Sequence, residues 1–299
     1  MLSCLPINTI ERARPLLGTT VTIRVQAADA ALAHDAISAA FADIARVHTL
    51  MSFHEPDSDL TRLHSAPVGA RVIVDAQTAH VLRAALALSA LSDGVFDVTV
   101  AAQLVAWDLL PPPPGAIWPT PGAGWRDIHI DDDNGVRLGQ PLWVDLGGIA
   151  KGYAVDCAID RLRAHGIEHA CVNAGGDLRT LGEGPHIIAI DTGETAPSHR
   201  PLLELGEAAV ATSSGRAHVT DDHRASPHVH GLTRSSIGRH DCVTVVAPQC
   251  MHADALTKLV MARGAASVDL LEHFGAAAYC QDAHGNWSAL GQSSLGAAA

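Results

Sequence analysis

The sequence predicts a mixed α/β (α+β) fold, built as a single unit over residues 1–299. Three observations lead there. Stretches alternating with period two are interleaved with stretches of helical spacing, but without the regular strand–helix–strand repeat of a parallel sheet. Hydrophobic residues make up 47% of the chain and charged residues 17%, a balance that fits a globular protein with a sizeable core. No linker divides the chain, and no internal repeat is present.

Taken in order, residues 16–26 (LLGTTVTIRVQ) alternate and are β-branched, so they read as a strand. Residues 29–51 set Ala33, Ile37, Ala40, Phe41, Ile44 and Val47 at helical spacing, the apolar stripe of an amphipathic helix. The polar stretch 53–58 ends it. Residues 77–92 repeat the helical pattern up to Asp93-Gly94. The proline-rich segment around 111–121 is a loop, because fixed φ and missing N–H groups suit neither helix nor sheet. A strand is expected around 125–130, a hairpin turn at Asp133-Asn134-Gly135, and a further strand ending at Asp145. Residues 149–165 read as a helix and 169–173 as a short apolar strand. Strands at 186–191 and 242–247 and a helix over 253–264, closed by Gly264, complete the pattern.

A net charge of −12 argues against a broad nucleic-acid or anionic-membrane surface. A polyanionic ligand would need local devices: backbone amides, a few cations or a metal. No apolar run reaches the length of a membrane-spanning helix. Residues 1–15 lack the apolar core of a signal peptide, which makes the cytoplasm the default location. The cysteines (Cys4, Cys157, Cys171, Cys242, Cys250 and Cys280) form no C-x-x-C pair and read as buried free thiols.

The segment richest in chemistry is 144–182. Asp145 leads into Gly147-Gly148, and a helix opens with Lys151. Glycines let amides approach a phosphate, and a helix start adds unpaired N–H groups. A second glycine turn, Asn173-Ala174-Gly175-Gly176-Asp177, follows the next apolar strand. Two such turns suit one anionic ligand across a cleft, although an ordinary tight turn also explains each alone. Neither a P-loop nor a dinucleotide-binding G-x-G-x-x-G is present. Asp254, placed in the first turn of the 253–264 helix, suits either the helix dipole or a hard cation such as Mg2+. His218, His223, His228, His230 and His240 crowd one polar segment. Their spacing matches no zinc pattern, so a solvated loop is the plainer reading, with one imidazole able to reach a site.

These segments, in this order, resemble the FAD:protein FMN transferase (ApbE) family. Leu17-Gly18-Thr19 looks like its opening M-G-T, and Ser58-Asp59-Leu60 with Arg62-Leu63 like S-E-L-x-x-L-N, with His64 at the place of Asn. Residues 92–100 resemble S-x-G-x-F-D-P-T-V, with Asp97 as its acid and Trp107 following as the family's W-G region does. Residues 144–156 are close to V-D-L-G-x-I-A-K-G-Y-A-V-D, and 173–182 to N-x-G-G-D-[IL]-x-x-x-G. Thr212-Ser213 looks like T-S-G, Pro227-His228-Val229 like H-I-x-D-P, and residues 253–256 match A-D-A-L.

The resemblance implies a single compact unit with a deep FAD cleft. It implies an Mg2+-dependent transfer of FMN from FAD to a Ser or Thr hydroxyl of an acceptor flavoprotein, with release of AMP. An FAD pyrophosphatase giving FMN and AMP, or a non-catalytic FAD-binding protein, are the alternatives. Asp254 and the backbone carbonyl of Gly148 would hold the metal. Lys151 with Gly147, Gly148, Gly175 and Gly176 would hold the pyrophosphate. Leu17, Asp97, Asp156, Asn173 and Asp177 would shape the cofactor site, and His228 would lie near the scissile phosphate. Members commonly work outside the cytoplasmic membrane. Two departures stand out. Gly231-Leu232 replaces Asp-Pro, which leaves His230 as a rival to His228. Lys258 stands where D-A-L-x-T has a metal-binding Thr, one residue after Thr257. An ammonium there is able to pair with Asp254 across one helical turn or to replace part of the metal's charge.

Overall fold

The computed structural model describes residues 8–190, 201–215, 227–237, 242–282 and 284–291, and the backbone of 296–298. Cys4, His218, His223 and His240 lie outside the described residues. The chain opens with a hairpin of β1 (Asn8–Leu16) and β2 (Thr19–Ala27). The single strand expected over 16–26 is therefore broken at Leu17-Gly18, where φ is +56° and +71°. A leucine carries none of the Asn-Gly signal that announces such a turn. Helix α1 (Ala30–Met51) is capped by Asp29, whose carboxylate accepts from the Ala31 and Leu32 N–H groups. Ser58 starts α2 (Asp59–Ser65), which the sequence pattern did not announce. Then come β3 (Val72–Ile73), α3 (Ala76–Leu91) and α4 (Ala101–Ala106).

The proline-rich stretch after α4 is irregular, as expected. β4 (Ile128–Ile130) and β5 (Gly135–Leu138) pair across the expected turn. The strand expected to reach Asp145 stops at Leu138; Gly139 and Pro141 follow, and neither sustains a ladder. The second half holds α5 (Ala150–Ala164), β6 (His169–Ala174), β7 (Asp177–Leu181), β8 (His186–Ala189), β9 (Leu202–Leu205), β10 (Ala209–Ser214) and β11 (Cys242–Ala247). It continues through α6 (Cys250–Arg263), α7 (Val268–His273), β12 (Ala277–Gln281), β13 (Trp287–Leu290) and β14 (Gly296–Ala298).

Eight strands form one sheet in the order β1-β2-β6-β7-β10-β11-β12-β13. Every pair in it is antiparallel. Helices α1, α5 and α6 cover one face and bury Val21, Ile23, Val172, Val243 and Val245 beneath them. Leu203 and Leu205 of β9, from a small sheet ordered β14-β9-β8, pack with Leu178, Val210 and Val246 on the opposite face. β11 is consequently buried at every position, and its apolar run CVTVVA is what a doubly covered strand requires. The architecture is mixed α/β around one main core.

Two close approaches lock α5 to α6. A Cβ at Gly152 would stand 2.2 Å from the Cys250 carbonyl oxygen, so only glycine lets the two helices meet there. Asp156 of α5 accepts from the Cys250 and Met251 N–H groups at 2.9 and 2.8 Å, capping α6 from a neighbouring helix. That cap starts α6 at Cys250 rather than 253. Asp254 thus lies beyond the first turn, and the helix-dipole explanation for it falls away. None of the five described cysteines is joined in a disulfide; Cys242, Cys250 and Cys280 are buried, whereas Cys157 and Cys171 are half-buried. No helix among the described residues is long and apolar enough to cross a membrane.

Candidate functional site

Strand ends, a helix start and a loop converge on a cavity of about 440 Å³. Its polar wall is made by Asp97, Asp145, Gly147, Gly148, Lys151, Gly175, Asp177, His228 and Lys258, and its apolar wall by Phe96, Leu104, Leu109 and Leu110. A second cavity of about 360 Å³ adjoins it, sharing Leu110, Asp145, Gly147 and Lys151. Leu17, Phe53, His48 and His54 line that one.

Lys151 enters from the first turn of α5. Its Nζ donates to Asp177 Oδ2 at 2.7 Å and stands 3.6 Å from Asp254 Oδ2. Asp177 is delivered by the turn between β6 and β7, where Gly175 and Gly176 alone separate the paired Ala174 and Asp177. Their φ values of +66° and +100° make the two-residue hairpin that glycine favours. The second glycine turn therefore has a structural reason of its own. Asn173 supports it, its side-chain oxygen accepting from the Gly176 N–H at 3.0 Å. At the first turn, Asp145 Oδ1 accepts from the Gly147 N–H at 3.0 Å.

Asp254 is the centre of this arrangement and has no exposed surface. Its Oδ2 accepts from the Gly152 N–H at 3.3 Å, and its Oδ1 meets the Lys258 ammonium, which also donates to the Asp254 main-chain oxygen at 2.9 Å. Thr257 faces away: its hydroxyl donates to the Asp254 main-chain oxygen at 2.6 Å and shares a 2.8 Å hydrogen bond with Ser213. Burial alone would raise the Asp254 pKa, but the Lys151 and Lys258 charges hold it below the usual carboxylate range. Burial, followed by the nearby Asp254 charge, pushes the Asp177 carboxyl up. Burial opposes the charge on Lys151, yet Asp254 and Asp177 outweigh it and push its pKa up. Burial also raises Asp145.

His228 lies in the same cavity, and burial and then the two lysine charges lower it to about 3, so it is neutral at neutral pH. His230 sits in a turn instead, its Nδ1 accepting from the Leu232 and Thr233 N–H groups at 3.3 and 3.4 Å. The structure thus separates the two histidines that the sequence left as rivals. The loop carrying them is pinned by Gly231, whose N–H donates to the Val95 oxygen at 2.9 Å. A Cβ at Gly231 would lie 2.1 Å from the Gly94 oxygen, which accounts for glycine where the resemblance expects Asp. Arg234 from the same loop donates to Asp97 Oδ2 at 2.8 Å. Sequence reasoning missed Arg234, because only the fold brings positions 97 and 234 together.

Most predicted residues are gathered here, with exceptions. Leu17 lines the adjoining cavity and not this one. Asn173 and Gly176 stand behind the Gly175 turn, outside the cavity lining. Asp156 is not in the site: its oxygens serve the start of α6 and the Arg179 guanidinium, 2.8 Å away.

Whether the residues present suit Mg2+ turns on Asp254. Mg2+ wants near-octahedral oxygen ligands. Both carboxylate oxygens of Asp254 are already engaged, and Oδ1 faces an ammonium. A divalent cation within ~3 Å of that ammonium would be repelled by on the order of 10 kcal/mol at an effective dielectric near 20. Metal at this carboxylate requires Lys258 to leave it. No cluster of three or more His, Cys, Asp or Glu able to hold a metal occurs among the described residues.

Comparison with known proteins gives a consistent answer. The ApbE family model matches residues 17–280. The FAD:protein FMN transferase of Vibrio cholerae is 29% identical over 276 residues, covering 87% of this chain and 83% of that protein. Its counterpart from Haemophilus influenzae is 29% identical over 249 residues, covering 75% and 70%. Among solved structures, the flavin transferase ApbE of Vibrio cholerae superposes with a TM-score of 0.81 at 27% identity, over 97% of this chain and 98% of that one. The ApbE protein of Thermotoga maritima gives 0.82 at 27% identity, over 96% and 97%.

Proposed function

The chain belongs to the ApbE family, and from that premise we propose that it is an FAD:protein FMN transferase working as one unit over residues 1–299. Its acceptor is a flavoprotein that offers a Ser or Thr hydroxyl, and AMP is the leaving product. The observation that carries the reading is the convergence of Lys151, Lys258 and a neutral, half-buried His228 on one cavity. The acceptor oxygen attacks the FMN-side phosphorus, the bond from that phosphorus to the bridging oxygen breaks, and AMP departs with the bridging oxygen. Lys151 and Lys258 hold the pyrophosphate oxygens and offset the charge that grows on them. His228 takes the hydroxyl proton: its imidazole is unprotonated, and bound phosphates counter the lysine charges that depress its basicity.

The apolar walls and the adjoining cavity suit the two ring systems of a dinucleotide. A bound Mg2+ would neutralise phosphate charge as a Lewis acid. Only with Lys258 swung off Asp254 would that carboxylate and the Gly148 carbonyl be open to hold it. The test is incubation of the purified chain with FAD and an acceptor flavoprotein. AMP together with covalently bound flavin is expected. AMP with free FMN only would mean a pyrophosphatase, and no turnover would mean a binding protein.

A further inference from the structure

Resting on the FAD reading, we propose that Lys258 permanently takes the place of a divalent cation at Asp254, so that this chain grips a pyrophosphate between two ammonium groups without Mg2+. Three observations on α6 support this. The ammonium sits on Asp254 Oδ1 and on the main-chain oxygen of the same residue, 2.9 Å away, one helical turn along. Its stem runs past Gly148: a Cβ there would lie 3.6 Å from Lys258 Cε, so the lysine reaches Asp254 alongside the other residue expected to hold a metal. The neighbouring hydroxyl cannot serve in its stead, because Thr257 is fully buried and bonded to Ser213 and to the Asp254 oxygen.

The other carboxylate oxygen is equally committed, to the Gly152 N–H and to the Lys151 charge. Asp254 is thereby an anchor that aims two ammonium groups into the cavity. Lys151 and Lys258 retain exposed side-chain surface of 32% and 16%, while Asp254 has none. An anion entering the cavity meets the lysines and not the carboxylate. Two single charges at separate points supply what one doubly charged ion would, and no proton or bond changes hands in the exchange.

The test measures binding of FAD, and separately of inorganic pyrophosphate, to the full chain by calorimetry in EDTA and in excess MgCl2. We expect the parent to bind both probes in EDTA, with Mg2+ changing either affinity by less than about threefold. Lys258→Thr is expected to lose roughly tenfold or more in EDTA and to recover on adding Mg2+, because Asp254 is then open to the metal. Lys258→Met keeps the apolar stem if the threonine variant folds poorly, and carries the same expectation in EDTA. Parent binding of pyrophosphate that vanishes in EDTA and returns with Mg2+ would overturn the proposal, as would variants that match the parent in EDTA. Pyrophosphate binding in EDTA without any FAD binding would leave the proposal standing and reject the FAD reading instead.

Discussion

Asp254 has no water to turn to if its partners are lost, and that decides what its removal does. A metal ligand at an exposed helix start would be silent in folding. A buried carboxylate clamped by two ammonium groups is not. Asp254→Ala leaves Lys151 and Lys258 facing each other across a part-buried gap, and breaking such a pair costs about 3–5 kcal/mol. Both lysines keep some exposure, so a loss near the lower end, about 3 kcal/mol, is expected in urea unfolding. An unchanged midpoint would remove the clamp from the account. His64 makes a second residue-level case. It is buried, its Nε2 accepts from the Val144 N–H at 2.9 Å, and burial lowers its pKa to about 4. A depressed folded pKa contributes stability that is present above pH ~6.5 and lost as pH falls through about 4. The loss across that window is on the order of 3 kcal/mol. His64→Gln keeps an acceptor but not the titration, so its stability should be flatter over the same range; parallel curves would refute the assignment.

Among elements, the α5–α6 contact carries the clearest expectation. Alanine is the better helix former by about 1 kcal/mol, so Gly152→Ala would stabilise an isolated helix. Here its Cβ meets the Cys250 carbonyl at 2.2 Å and the Met251 Cα at 2.8 Å, both backbone atoms that cannot swing aside. Overpacking of this kind costs about 1–3 kcal/mol and shifts the Gly152 N–H off Asp254. A lowered melting temperature is expected, and a raised one would mean that the helices separate freely. This contact also shows what the sequence conveys. Helices α1, α3 and α5 were legible because their apolar spacing is unbroken, and β6 and β11 because they are short apolar runs. β7 and β10 were not: DLRTL and AVATSS mix small and polar residues, since Asp177 and Ser213 face the site and the helices while Leu178 and Val210 face the small sheet. Lys151, Asp177 and His228 could be named from local motifs. That Asp156 serves α6, and that Arg234 reaches Asp97, depends on contacts between distant segments that no local pattern carries.

For the whole molecule, charge and counting matter most. With a net charge of −12, the chain repels an anionic dinucleotide until the ligand comes within reach of the two lysines. Salt screens that distant field more than the buried contacts, since the Debye length shrinks from ~30 Å at 0.01 M to ~8 Å at 0.15 M. The association rate of FAD should therefore rise as salt is added over this range, in stopped-flow measurement; a fall would show that local lysine attraction governs approach. The sheet imposes a stricter arithmetic at the turn between β6 and β7. Asp177, Arg179 and Leu181 look toward the helices, whereas Leu178 packs toward the small sheet. One residue inserted at Gly175-Gly176 would exchange those two sets along the whole of β7. Leucine would stand where Asp156 expects a guanidinium, and the Asp177 carboxylate would leave Lys151 and enter an apolar layer. The length of that turn is thus held from both sides of the sheet at once, and a deletion or insertion there is a change to two cores rather than to one loop.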